Sequence, residues 1–315
     1  MEEVQPGTIM TLLSGILVGI AFGFVLQRGR YCSNSAFRDI IFINDYTLFR
    51  TYLLALMIAI LGANFLEDLG FMGDGLRRQV FAPVGNIIGG YLFGMGIVLA
   101  GGCGSGVLYR IGEGLVAALF ATLGFVVGIV TTTKGVLKPL YKFLRSFRVE
   151  IGGTSNPALW DLFGGDGFKW IVIAVVSVII AIVVLKGKPF AKGPAKGYSW
   201  SLTGLLMGLI MILAWWASVY FGGQARGLSF TGPTSDFFLA LITGNSQAPS
   251  DPMFDFWGIF TATWSALYII GVPLGAYLSA KGLQEFKLKA PGANELMTVF
   301  GGGLLMGFGA ATAGG

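Results

Sequence analysis

The chain has 315 residues, of which 54% are hydrophobic and only 12% charged, with a net charge of +5. Soluble domains carry about 25% charged residues, so this composition excludes an ordinary soluble domain. The chain has no histidine and no Walker sequence, which argues against haem, most catalytic metal sites and ATP hydrolysis.

Eight apolar runs approach the roughly 20 residues a helix needs to cross a bilayer: 9–27, 51–66, 84–100, 115–133, 170–186, 201–222, 256–280 and 297–313. They predict an all-α polytopic membrane protein with a single membrane domain over 1–315. The first run does not read as a cleaved signal peptide, because residues 1–8 carry no Lys or Arg and the run continues into Arg28-Gly29-Arg30. Its small-residue stripe, Gly15, Gly19 and Gly23, suits close helix packing. Basic residues gather in the loops 28–50, 101–114, 187–200 and 281–296, among them Arg28, Arg30, Arg38, Arg110, Lys188, Lys192, Lys196, Lys281 and Lys287. The positive-inside rule puts those loops in the cytoplasm and the N-terminus outside. The stretch 134–169 breaks the rule with Lys134, Lys138, Lys142, Arg145, Arg148 and Lys169. It reads either as a helix lying on the membrane or as a basic outer surface that concentrates an anion.

The chain also repeats itself. Ser14-Gly15 through Gly19 recurs as Thr203-Gly204 through Gly208, and Gly89 to Gly102 recurs as Gly302 to Gly315 with every glycine of the first copy matched. Five spans separate the two starts, an odd number, so the second copy is inverted. This predicts a first repeat over 9–133, a connecting segment over 134–200 with a central spanning helix, and a second, inverted repeat over 201–315. Inverted repeats with a site at the midplane are the plan of many secondary transporters. Cys103 follows Gly102, so the repeat also predicts a cysteine as the next residue after Gly315, and a further span beyond it.

The two cysteines are the chemical centre of the reading. Gly101-Gly102-Cys103-Gly104-Ser105-Gly106 is too glycine-rich for comfortable helix and predicts a bent loop whose amides face an anion. Gly314 and Gly315 would form its counterpart. Irregular backbone at membrane depth is tolerated where it lines a cavity or is buried. A buried thiol stays protonated and keeps a weak S–H donor, and several weak sites in series suit conduction. Cys32 and Cys103 are expected at successive positions along one path, without a disulfide between them. Sulfurs in bonding contact would instead favour a membrane thiol–disulfide oxidoreductase, a rival weakened by the absence of CxxC spacing. Asn34 lies beside Cys32. Arg38 and Arg110 follow their cysteines by six and seven residues. They either neutralise the anion or pair with Asp39 and Glu113.

Arg28-Gly29-Arg30-Tyr31-Cys32-Ser33-Asn34 through Asp39 resembles the first signature of the YeeE/YedE family of bacterial thiosulfate transporters. Ala100 through Gly114 resembles the second, and Gly302 through Gly315 the third up to its cysteine. The resemblance implies about nine spanning helices with loops that dip into the membrane from both sides. It further implies thiosulfate as cargo (another sulfur or selenium species as the alternative), no cofactor, no nucleic acid, and the bacterial inner membrane. The family's essential cysteines carry over to Cys32 and Cys103. A small cytoplasmic sulfur carrier of the TusA type is the implied protein partner.

Overall fold

The computed structural model describes residues 4–6, 9–73, 75–189, 196–246 and 252–314; Lys192 and Gly315 fall outside them. Twelve α-helices follow one another among the described residues: α1 (Ile9–Arg28), α2 (Ser33–Ile43), α3 (Thr47–Asp68), α4 (Pro83–Leu99), α5 (Gly104–Gly112), α6 (Val116–Thr133), α7 (Lys138–Leu144), α8 (Lys169–Leu185), α9 (Trp200–Gly222), α10 (Thr231–Thr243), α11 (Trp264–Gly282) and α12 (Ala293–Ala313). Seven of the segments are long and apolar enough to cross a bilayer, and they contain α1, α3, α4, α6, α8, α9 and α12. The chain is a multi-pass α-helical membrane protein. Ile171, Val175, Val178, Ile179 and Ile182 of α8 and Ile41 and Phe42 of α2 are exposed, a surface that only lipid solvates favourably.

The eighth long helix, α11, carries Pro273 and is largely buried in protein, with Leu274 and Leu278 on its exposed side. Tyr268, Val272, Ala276 and Ala280 have no exposed surface. Helices meet α11 and α12 through glycine. A Cβ on Gly19 or Gly23 of α1 would overlap the backbone of Tyr268 or Val272, and one on Gly271 or Gly275 would overlap the carbonyls of Ile16 or Ile20. The stripe predicted for packing is thus a backbone-to-backbone seam. Gly96 of α4 meets the backbone of Met306, and Gly124 of α6 meets that of Phe300, in the same way.

Two parts of the 223–263 region differ from the sequence reading. The span expected over 256–280 begins only at Trp264, because residues 253–263 form a hairpin. Its strands are β2 (Met253–Phe256) and β3 (Phe260–Thr263), paired antiparallel, and the turn between them uses Trp257 and Gly258 at positive φ. The backbone of β1 (Val4–Pro6) joins β2 in parallel register. The second difference is α10, for which the sequence offers no apolar run. It is a 13-residue helix whose first turn is Thr231-Gly232-Pro233-Thr234.

The helix ends sort onto two faces. On one, β1 meets β2, Lys169 bonds Glu67 at 2.8 Å and Asp68 at 2.6 Å, and Arg145 reaches the Thr312 carbonyl. On the other, Arg30 pairs with Glu285, Gln27 with Glu113 at 3.3 Å, and the Val116 amide with the Lys289 carbonyl.

Candidate functional site: a buried thiol pair beside a basic cavity

Each cysteine caps a short helix. After α1 the chain turns at Arg30, with φ 50°, and Cys32 enters α2 in extended conformation. After α4 it turns at Gly101, with φ 73°, and Cys103 enters α5 likewise. Gly314 repeats the turn after α12, with φ 88°; a side chain is disfavoured in this left-handed region. The bend is shorter than predicted: Gly104, Ser105 and Gly106 are the first turn of α5, not loop. Their glycines serve close approach. A Cβ on Gly106 would stand 2.9 Å from the Cys32 sulfur and 3.2 Å from the Cys103 sulfur.

The two thiols therefore face each other across Gly106. They are free, 1% and 6% exposed, and both lie against the one point that a Gly106 Cβ would occupy. The two capped helices thus bring both cysteines to one place. Ser105 Oγ lies 3.5 Å from the Cys103 sulfur. The positive ends of two helices make the spot favourable for negative charge.

The supporting residues divide. Asn34 donates to the Ile97 carbonyl at 3.2 Å and ties α2 to α4. Arg110 donates to the Gly101 carbonyl, clamps the bend before Cys103, and lies against Gly102, where a Cβ would be 3.3 Å from its guanidinium. Arg38 is exposed and held by Asp39 at 2.8 Å. It stands apart from the thiols and takes the pairing alternative. Glu113 accepts from the fully buried Gln27, and burial raises its pKa.

A cavity of about 550 Å³ opens on the face where β1 lies, within the size range of small-molecule sites, about 300–1,000 Å³. Arg77, Lys134, Arg145, Arg226 and Asp236 are its charged lining. Burial lowers Arg226 to about 10, so it stays cationic at neutral pH. The basic stretch 134–169 thus splits. Lys134 and Arg145 face the cavity, Lys138, Lys142 and Arg148 are exposed, and Lys169 is buried against Glu67 and Asp68. Arg145 also donates to the carbonyl of Thr312, near the bend at Gly314. Arg226 and Arg145 were not singled out by spacing around a cysteine. The signal available for Arg226 was the pair Arg226-Gly227, which matches Arg28-Gly29 before Cys32.

A multi-pass bundle with buried thiols at helix N-termini and a basic cavity defines a membrane transport protein. Residues 28–315 match the sulphur transport family, and the chain belongs to that family. It is 33% identical over 311 residues to the thiosulfate transporter TsuA of Spirochaeta thermophila, an alignment covering 96% of this chain and 88% of that protein. It is also 33% identical over 323 residues to the thiosulfate transporter TsuA of Escherichia coli, covering 96% of this chain and 84% of that protein.

Proposed function

We propose that this chain carries thiosulfate inward across the bacterial cytoplasmic membrane, with its N-terminus outside. The anion collects in the basic cavity and passes the Cys32–Cys103 pair by transient S–H hydrogen bonds. The observation that carries this reading is the thiol pair itself: two buried thiols beside Gly106, at the meeting point of two helix N-termini. Thiosulfate is a dianion with a terminal sulfur, so it accepts hydrogen bonds from weak donors without being held too tightly to leave. The inverted relation of the two halves is part of the proposal. It is supported by matched positive-φ glycines at 101 and 314 and by short helices, α2 and α10, in corresponding order. A sulfur carrier of the TusA type would receive the cargo on the face bearing Arg30 and Glu285. Uptake of radiolabelled thiosulfate by cells lacking other sulfur importers tests the function. No uptake above the empty-vector background rejects it, and uptake of selenium or other sulfur anions alone assigns a different cargo.

One observation favours a second reading. Two thiols beside the same glycine could also begin disulfide exchange, so an oxidoreductase is distinguished by the cysteine variants in the Discussion.

Two further results follow. Lys134→Gln with Arg145→Gln removes two cations from the cavity wall and is expected to weaken uptake most at low substrate and low salt, because such fields reach about 10 Å at 0.1 M ionic strength. The exposed set Lys138, Lys142 and Arg148 changed to Gln leaves uptake near parental. Equal effects of the two sets would reject the cavity as the mouth of the path. For orientation, Lys188→Cys and Lys196→Cys are expected to resist an impermeant thiol reagent added outside intact cells; ready labelling there overturns an external N-terminus.

A further inference from the structure

We propose that Phe230 is the gate between the basic cavity and the thiol pair, a role that rests on reading those two features as one path. Phe230 is the residue that enters α10, as Cys32 enters α2. Arg226-Gly227 precedes it by the interval at which Arg28-Gly29 precedes Cys32. Where one short helix presents a thiol, the other presents an aromatic ring.

The position of that ring fits a barrier. Ser229 and Thr231, on either side of Phe230, line the cavity. On its other side, a Cβ on Gly104 would stand 3.2 Å from the Phe230 Cβ, and Gly104 is bonded to Cys103. One residue therefore reaches from the cavity wall to the thiol loop. Its ring is stacked on Phe22, centroids 5.7 Å apart, and meets Tyr268 edge-on at 5.9 Å. Tyr268 is fully buried, and its hydroxyl bonds both the amide and the carbonyl of Ser229. That clasp fixes the backbone next to Phe230 and leaves χ rotation of the ring as the available movement. An apolar ring offers a dianion neither charge nor donor, so the anion crosses only while the ring is off its stack.

The test is the rate at which an anionic, membrane-impermeant methanethiosulfonate reaches Cys103 from the cavity side, read by peptide mass spectrometry in intact cells. Phe230→Ala is expected to raise that rate about tenfold or more over the parent, the step expected when two ring contacts are lost from the closed state. Phe230→Trp, with a larger ring at the same place, is expected to lower it. A structural role alone does not change access in opposite directions with side-chain size. A parental labelling rate in a folded, monodisperse Phe230→Ala protein overturns the gate. If the alanine variant does not fold, Phe230→Trp decides: labelling as fast as the parent's or faster overturns it. The two readings fail separately. Unchanged labelling beside cysteine-dependent uptake rejects the gate alone, whereas faster labelling beside cysteine-independent uptake rejects the thiol path alone.

Discussion

Cys103→Ala is expected to cut thiosulfate uptake to near background while the chain still inserts and folds. Cys103 caps α5, lies 3.5 Å from Ser105 Oγ and shares the Gly106 position with Cys32, so its loss removes the donor around which the site is arranged. A hydrogen bond to a charged group contributes about 1.5–3 kcal/mol, which corresponds to roughly a 10- to 150-fold loss. Cys103→Ser separates the mechanisms. A hydroxyl keeps a donor but is shorter and harder, so uptake falls strongly and remains measurable. In the exchange reading serine is as inactive as alanine, because a hydroxyl cannot take part in thiol–disulfide exchange. Mass spectrometry of protein trapped during transport supplies the second arm. Free Cys32 and Cys103 support the hydrogen-bonded path, and a disulfide joining them supports the oxidoreductase.

The second large effect is expected at Gly106, a residue with no functional group. Gly106→Ala puts a methyl 2.9 Å from the Cys32 sulfur and 3.2 Å from that of Cys103, inside the roughly 3.5–4.0 Å at which non-bonded heavy atoms rest. Both sulfurs must retreat, and the thiol contact opens. Uptake should fall by about tenfold or more, the cost of one displaced charge-assisted hydrogen bond. Gly90 is the matched control, since a Cβ there meets nothing within 4 Å. Gly90→Ala should transport normally. Equal activity of the two alanine variants would show that the thiols need not touch for transport.

The long helices were legible because a bilayer imposes a length. The runs 9–27, 84–100 and 170–186 correspond to α1, α4 and α8 within a residue or two. α12 begins four residues before its predicted run, at Ala293, because Asn294 and Glu295 are polar although helical. α10 was not legible: 13 residues opening with Thr, Gly and Pro satisfy no spanning criterion, and only its place beside α6 and α11 makes it a helix of the bundle. The cysteines were legible as a site through their glycine settings. Their contact was not, since residues 71 positions apart (103 − 32) carry no pairwise signal in a single sequence. In the sequence alone Gly104 and Gly106 favour a loop, because glycine's helix cost dominates when its neighbours are unknown. In the folded chain those neighbours are two sulfurs and Phe230, and the space they need outweighs the propensity.

The glycine seams have a mechanical consequence. α1 and α11 come from opposite halves of the chain, as do α4 and α12, and in both pairs main chain lies on main chain. Such a joint has no compliant layer of side chains to shear. Sliding one helix past the other by a residue would drive α-carbons into carbonyl oxygens, as in a rack locked by its own teeth. The frame is therefore stiff across the line where a rocking transporter would hinge. The displacement needed to pass an ion would then fall to the parts outside the seams: the short helices α2 and α10 and the side chains at their tips.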